Sequence, residues 1–204
     1  MKKLVCFPAA LVVSLLFCGL CGAEAPRQIA GFRLGVNVSQ YKDQVQVETA
    51  VPLRHSEYLS EVDIKPIDGY RSGYLSYGNC DQPGIIVKIK LKYDRDDKEF
   101  FDELMERFDK KFGKPSEYKG DAFRACIAWK WSFTDSEKNK INMVLQHNCQ
   151  DDEDYTSGNA VKLWMKNRID GERACQEKKQ SESKGEDADK KARKKPDIKN
   201  LIPE

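Results

Sequence analysis

Hydrophobic and polar positions change their spacing along this chain, and the clearest pattern is helical. Within residues 96–115, apolar side chains recur every three or four positions, which places them on one face of a helix. The residues of this stripe are Phe100, Phe101, Leu104, Met105, Phe108 and Phe112. Asp96 is suited to cap the first turn, whereas Gly113 and Pro115 are suited to end the last one. We therefore predict an amphipathic helix that packs against a sheet.

Six other segments alternate apolar and polar residues, as half-buried β-strands do. They cover residues 58–64, 70–77 and 85–93 before the helix, and 123–133, 141–149 and 159–166 after it. In residues 85–93 every second residue from 88 to 92 is a lysine, which indicates one buried face and one face in water. In the fourth segment, Trp129, Trp131 and Phe133 share the face that we expect to be buried.

A shorter helix is predicted before the first of these strands. Ser39 is suited to cap it, and Tyr41 and Val45 would face inward. One helix followed by three strands therefore occurs twice, and a Ser-Glu-Tyr triplet follows each helix, at residues 56–58 and 116–118. We predict the α+β class: two layers, an antiparallel sheet with helices on one face, and a tandem α-β-β-β repeat as one arrangement that fits.

Two segments carry a pattern of known type. They are LGVNVSQYKDQV (residues 34–45) and FGKPSEYKGDAFRACIAWKWSF (residues 112–133). Together they contain a Gly–hydrophobic–Ser helix start, a Gly-x-Pro, an Asp-x-Phe and a tryptophan-containing strand, carried by Gly35, Ser39, Gly113, Pro115, Asp121, Phe123 and Trp129. In these features the chain resembles the small-protein-A/outer-membrane lipoprotein A family and its β-lactamase-inhibitor-like fold. The resemblance implies that fold and a function in protein–protein binding.

The first 23 residues have the composition of a secretory signal peptide, with two lysines, a long apolar run and small residues after it. Cleavage is expected after Ala23 rather than Ala25, because Pro26 would follow the second bond and a tertiary amide is a poor substrate. A lipid anchor on a nearby cysteine is the minor alternative. The mature protein is therefore expected to be periplasmic or secreted, without a transmembrane segment.

Four cysteines remain after this cleavage, and an oxidising compartment favours their pairing into two disulfides. They are Cys80, Cys126, Cys149 and Cys175. Strand alternation places Cys149 on the apolar face and Cys126 on the polar face of neighbouring strands, so a bond between these two is disfavoured. Of the three pairings, we favour Cys80–Cys126 with Cys149–Cys175.

Composition changes again near the C-terminus, where lysine and acidic residues follow one another almost without apolar ones. Residues 177–204 are therefore predicted to be a disordered, charged tail, which leaves a single α+β domain over residues 24–176. The whole chain contains 35 Lys and Arg against 33 Asp and Glu. This near balance argues against a protein that binds nucleic acid.

Motifs that carry chemistry are few. The chain contains no phosphate-binding loop, nucleophile elbow or metalloprotease helix, so neither a cofactor nor a catalytic metal is expected. His147 lies on a predicted strand, and the acidic run of residues 151–154 follows it closely. A small periplasmic hydrolase that uses these groups is the alternative function. The same acidic run offers oxygen ligands for Ca²⁺, although its spacing does not match an EF-hand loop.

The polar face of the predicted sheet combines basic residues with one tryptophan, which suits an anionic group or an acidic protein. Its candidate binding residues are Lys88, Lys90, Lys92, Lys130, Lys162, Trp164 and Lys166. An edge strand with Tyr70, Tyr74 and Tyr77 would supply a second contact surface. We therefore predict a non-enzymatic interaction or accessory protein of the cell envelope, whose partner is another envelope protein or an anionic envelope component.

Overall fold

The computed structural model of the chain describes residues 24–150 and 155–193. It contains an antiparallel sheet of eight strands, a separate pair of short strands and two α-helices, which confirms the predicted α+β class. The strands are β1 Gln28–Ile29, β2 Phe32–Arg33, β3 Val51–Leu53, β4 Ser56–Asp63, β5 Tyr70–Gly78, β6 Ile86–Tyr93, β7 Glu117–Tyr118, β8 Ile127–Thr134, β9 Lys140–Gln150 and β10 Tyr155–Met165. The helices are α1 Lys98–Phe112 and α2 Lys166–Arg193, and 3-10 turns cover Val38–Tyr41 and Val47–Thr49.

The large sheet consists of two similar halves that meet at its centre. Its strand order is β3-β4-β5-β6-β10-β9-β8-β7, so each half has a short edge strand followed by three longer ones. The last strands of the two halves, β6 and β10, pair antiparallel, for example through Ile89 and Leu163. The Ser-Glu-Tyr triplets are not equivalent within these halves, because residues 56–58 begin β4 whereas residues 117–118 form the edge strand β7.

The predicted helix starts are each displaced from the observed ones. In the first half the helix is reduced to two 3-10 turns, and Asn37, not Ser39, caps the first turn by accepting the Ser39 N–H at 3.0 Å. In the second half Asp97, not Asp96, caps α1 by accepting the Phe100 N–H at 2.8 Å. Each cap has an extended backbone, which lets its side chain turn back toward the first free N–H groups.

Helix α1 packs on the sheet through its predicted apolar stripe. Phe101 and Leu104 are buried in the main core. The helix ends at Gly113, whose φ of 79° lies in the region that glycine tolerates best. Trp131 of β8 donates its Nε1–H to the Gly113 carbonyl at 2.7 Å. The end of α1 is therefore fixed directly on the sheet.

The core lies between α1 and the inward faces of the strands, as alternation predicts. Trp131 is only 2% exposed, and Trp129 and Phe133 pack against the same core. Other buried members from the central strands are Leu75, Ile86, Ile89, Leu91, Ile141, Met143, Leu145, Val161 and Leu163. The expectation that the three aromatic residues of β8 face the protein interior is confirmed.

The four predicted disulfide cysteines are all paired, but the favoured connectivity is wrong. The bonds are Cys126–Cys149 and Cys80–Cys175. The prediction assumed unbroken alternation along β9, whereas Asn148 has a φ of 53° and the β9–β10 register shifts beside it. This irregularity turns Cys149 to the outer face of the sheet, where it forms a small cluster with Cys126.

Helix α2 follows β10 directly and was not predicted. It continues to Arg193, so residues 177–193 are helical where composition predicts a disordered tail. The only apolar residues of the segment are two alanines, but it contains five lysines and three glutamates, and all three residue types are good helix formers. Residues 194–204 and the predicted leader, residues 1–23, lie outside the described part of the chain. Within residues 24–150 and 155–193, no helix combines the length and apolar character that crossing a membrane requires.

Candidate functional site: a groove and its adjoining loop

The structure brings most of the predicted basic residues onto the outer face of the sheet. Lys130, Lys162 and Lys90 lie in one row across β8, β9, β10 and β6. Lys88 lies directly opposite Trp164 in the neighbouring row. Lys90 is nevertheless 0% exposed and Lys88 is also buried, so the prediction that these lysines stand in water is wrong.

An aromatic ring explains part of this burial. Tyr74 is paired with Lys90 across β5 and β6, and its ring centroid lies 5.7 Å from the Lys90 Nζ and 5.4 Å from the Lys88 Nζ. The lysine side chains therefore lie over a ring, where cation–π attraction favours them. Lys92 and Lys162 also have interaction partners. This outer face is a packed polar layer rather than a free basic surface.

Of the two remaining basic candidates, Lys130 lies at the β8 end of that layer and Lys166 lies outside the sheet. Lys166 is not a strand residue but the first residue of α2, where it pairs with Asp170 at 2.6 Å. Lys130 reaches Glu117 of the edge strand at 3.3 Å. A binding function for the predicted lysine and tryptophan set stays a prediction, and the burial of its centre no longer favours it.

The predicted tyrosine surface is divided between the two faces of the sheet. Strand β5 lies between β4 and β6 rather than at an edge. Tyr70 stacks on Tyr93 at 5.0 Å between ring centroids, and Tyr77 packs against the main core. Tyr74 lies on the outer face instead, because the β5–β6 register shifts between Tyr70 and Ser72. The three tyrosines therefore do not form one contact surface.

His147, the predicted catalytic candidate, is fully engaged in holding the fold. It is buried, with Nδ1 2.8 Å from the Asn159 Oδ1 and Nε2 3.0 Å from the Asn148 Nδ2. A neutral ring satisfies both contacts by donating from Nδ1 and accepting at Nε2. Asn159 in turn donates to the carbonyls of Arg95 and Asp97 before α1. The histidine thus ties β9 and β10 to the start of the helix.

The acidic run of residues 151–154 lies outside the described residues. The hydrolase and Ca²⁺ alternatives that depend on it therefore stay predictions. In the part of the chain that the structure covers, no three His, Cys, Asp or Glu side chains are grouped so as to hold a metal ion.

A groove of about 540 Å³ opens between α1 and the β7–β8 edge of the sheet. Its apolar lining consists of Phe101, Met105, Pro115, Tyr118, Ile127 and Trp129. Trp129 and Tyr118 face each other edge to face, with ring centroids 4.7 Å apart. Both rings are only half-buried, since α1 covers the inner part of β8 but not this end. The groove therefore presents aromatic and aliphatic surface to a ligand.

The loop of residues 119–126 forms one side of this groove and is organised by Asp121. The Asp121 carboxylate accepts three backbone N–H groups, from Phe123 at 2.7 Å, from Ala125 at 3.3 Å and from Cys126. Tyr118 donates its hydroxyl to the Asp121 carbonyl at 3.0 Å. The Cys126 N–H is the main cause that lowers the pKa of Asp121, against an opposing effect of burial. The carboxylate is thus ionised and bound to its own loop at neutral pH.

This loop projects Phe123 into solvent. The Phe123 side chain is 94% exposed, against 60% for Val47 and 56% for Val51, the other exposed large hydrophobic residues in the described part of the chain. Arg124 follows with a φ of 60°, a left-handed conformation that turns its side chain to the rim of the groove. Among the described residues, the Arg124 guanidinium forms no ion pair and no hydrogen bond.

The opposite rim of the groove belongs to α1 and to the residues that follow it. Lys98 pairs with Asp102 at 2.5 Å, and Lys114 pairs with the Oδ2 atom of Asp109. The Oδ1 atom of Asp109 is buried from solvent and has no hydrogen-bond partner. An incoming group could place an apolar side chain on the floor of the groove and a donor against the exposed part of Asp109, whose side chain is 22% exposed.

None of the binding residues predicted from the sequence lines this groove. Asp121, Phe123 and Trp129 belong to the pattern that carries the family resemblance, and the Asp-x-Phe spacing is the local signal of a side-chain-capped turn. Asp109 and Arg124 were missed, because nothing in the sequence brings a helix residue and a loop residue to one groove. No family model, curated protein or solved structure matches this chain. The resemblance stays a prediction, and function has to be argued from the site itself.

Proposed function

We propose that the protein is a non-enzymatic interaction protein of the cell envelope, periplasmic or secreted. Its contact surface comprises the groove and the loop of residues 119–126, which together are called the groove–loop surface below. The observation that carries the proposal is the 94% exposure of Phe123 beside an apolar groove. The two disulfides support an oxidising compartment for this activity.

The physical argument begins with the exposed phenylalanine. Burial of an apolar side chain on binding contributes roughly 25 cal/mol per Å² of surface removed from water. Phe123 is held outward by hydrogen bonds to Asp121 and by the disulfide at Cys126, so little conformational entropy is lost when a partner covers it. Large aromatic side chains on rigid supports are typical centres of protein–protein interfaces.

Site-specific photo-crosslinking in living cells tests this proposal. Phe123 is replaced by p-benzoylphenylalanine in the full-length chain, and Val51, on the opposite sheet edge, receives the same label as control. We expect illumination to join the label at residue 123, but not the label at residue 51, to a protein partner. Trp129→Ala in the groove should reduce the yield. Equal yields at the two positions would contradict the proposal.

A further inference from the structure

We propose that the partner of the groove–loop surface is a second copy of this chain, in a two-fold dimer in which each copy inserts Phe123 into the groove of the other. This inference rests on the proposed function, because it names the occupant of the same surface. Two features of the single chain carry it: an exposed aromatic ring next to an apolar groove, and a guanidinium without a partner among the described residues, beside the same groove as the partly exposed Asp109 carboxylate.

The geometry of a two-fold interface sets the first requirement. Such an interface is self-complementary, so a projection and its matching depression must both lie on one surface of the chain. Phe123 is the projection, and the adjacent Arg124 lines the groove, which places both features together. The Phe123 of a second copy would meet Trp129 and Tyr118, and aromatic rings attract one another edge to face.

Charge complementarity supplies the second requirement. Within one chain, Arg124 and Asp109 line the same groove but do not bond to each other. The Asp109 carboxylate has one ion-pair partner, Lys114, and its Oδ1 atom accepts no hydrogen bond. Within residues 24–150 and 155–193 the Arg124 guanidinium has no partner. When Phe123 of one copy enters the other groove, its neighbour Arg124 comes to the Asp109 of that second copy. The two-fold axis then forms this ion pair twice, and each Asp109 carboxylate lies between Lys114 of its own chain and Arg124 of the other.

An arbitrary envelope protein would need to supply an aromatic side chain and a cation at the same spacing. A second copy supplies both without further assumption, because the same two residues project from its own loop. The number of projecting groups and of receiving groups is equal on this surface, two of each per chain. This match favours a closed dimer over a partner of different sequence.

Sedimentation velocity of the purified full-length chain over a range of concentrations measures the dimer directly. We expect a reversible monomer–dimer equilibrium, and we expect Phe123→Ala to raise the dissociation constant roughly tenfold or more, as truncation of a central aromatic residue does. Val51→Ala, which also truncates an exposed apolar side chain on β3, should leave it unchanged. Because Phe123 is almost fully exposed in the single chain, its replacement should not alter the thermal melt at concentrations where the wild type is monomeric.

A charge exchange tests the reciprocal contact more sharply. The variants Arg124→Asp and Asp109→Arg should each be monomeric alone, because each would place like charges together twice. An equimolar mixture of the two variants should dimerise, since both ion pairs are then restored with reversed sign in one and native sign in the other. Each variant's circular dichroism spectrum and thermal melt confirm that it is folded.

The outcomes separate this inference from the proposed function. A dimer that is lost in Phe123→Ala and restored by mixing the two charge variants supports both. A monomeric wild-type chain whose label at residue 123 still crosslinks to a different protein overturns the dimer and leaves the proposed function standing. A monomer without any crosslink overturns both. A dimer that Phe123→Ala leaves intact also overturns the inference.

Discussion

Two loops of this protein are built in the same way, and they differ in where the central carboxylate comes from. The loop of residues 79–82 surrounds Glu172, and the loop of residues 119–126 surrounds Asp121. In each case the carboxylate accepts at least three backbone N–H groups, one of them from a disulfide cysteine, Cys80 or Cys126. Glu172 comes from α2, 90 to 93 residues away from its four donors, and is 1% exposed.

Glu172 stabilises the whole fold, whereas Asp121 orders only one loop. The four backbone hydrogen bonds to Glu172 are all long-range, so global unfolding breaks them together and each contributes to global stability. Asp121 contacts only its own loop, which can keep some of this structure when the rest unfolds. The remote carboxylate therefore holds α2 against the sheet, whereas the local one presents Phe123. Substitutions should affect the two loops through different measurements.

The largest difference is expected from the disulfides beside the two carboxylates. Cys80–Cys175 closes 95 residues and Cys126–Cys149 closes 23. Chain entropy then predicts that replacing the first pair by serine lowers the free energy of unfolding by about 4–5 kcal/mol, and replacing the second pair by about 3 kcal/mol. Urea denaturation of the two double variants measures both values.

If removing Cys126–Cys149 lowers the free energy of unfolding more than removing Cys80–Cys175, the proposed contrast between the two loops is wrong. That result would mean that the short loop contributes more to global stability than the link between α2 and the sheet. Each double variant also needs mass spectrometry under non-reducing conditions, to show that the other disulfide is still closed.

Glu172→Gln should lower the free energy of unfolding by about 3 kcal/mol, because an amide presents N–H groups to donors that require an acceptor. The four donors are the N–H groups of Asn79, at 3.1 Å, Cys80, at 2.6 Å, Asp81, at 3.0 Å, and Gln82, at 2.6 Å. Glu177→Gln, an exposed change on the same helix, is the matched control. If both variants unfold at the same urea concentration, the hydrogen bonds of Glu172 do not stabilise the packing of α2 as the structure indicates.

Two glycines provide a smaller test of the same contrast. A methyl group at Gly78 would lie 2.2 Å from the Glu172 Oε1, and one at Gly120 would lie 2.3 Å from the Cys126 carbonyl oxygen. Gly78→Ala should lower the free energy of unfolding by about 2 kcal/mol, because the buried carboxylate has nowhere to move. Gly120→Ala should lower it by less, since its loop is at the surface, but should weaken binding through Phe123. Equal losses of stability would remove the distinction.

The elements that follow a regular hydrophobic period were predicted correctly from the sequence. The strand β6, the inward face of β8 and the stripe of α1 all follow from a fixed period, and the structure confirms them. The cysteine pairing failed at Asn148, because one residue with positive φ reverses the alternation on which the argument relied. A single irregular residue cannot be read from hydrophobic periodicity.

The other failures concern contacts between distant segments. Helix α2 has no apolar stripe, and it is fastened by Glu172 and Cys175, whose partners lie about 90 residues earlier. The groove likewise combines Asp109 of α1 with Trp129 of β8 and with the loop between β7 and β8. Local composition contains no signal for such combinations. Asp121 and Phe123 were noted only as part of the family resemblance, and a strand was predicted from residue 123, whereas the structure begins β8 at Ile127 and places residues 123–126 in the loop.

The smallest expected effect is the pH dependence of the exposed loop. Backbone N–H groups, above all that of Cys126, lower the pKa of Asp121 from its usual 3.8 in the folded protein. The loop contacts are therefore at full strength above pH 3.8 and are lost as the pH falls through the lowered pKa. Pepsin, which cleaves beside phenylalanine in acid, should cut at Phe123 more readily in Asp121→Asn than in wild type near pH 4, and the ratio of the two rates should fall toward one as the pH is lowered through the pKa of Asp121. Comparison of two chains in one digest cancels the pH dependence of the protease itself. A ratio that stays constant over this range would show that the carboxylate does not hold the loop, and that Phe123 is presented by the disulfide alone.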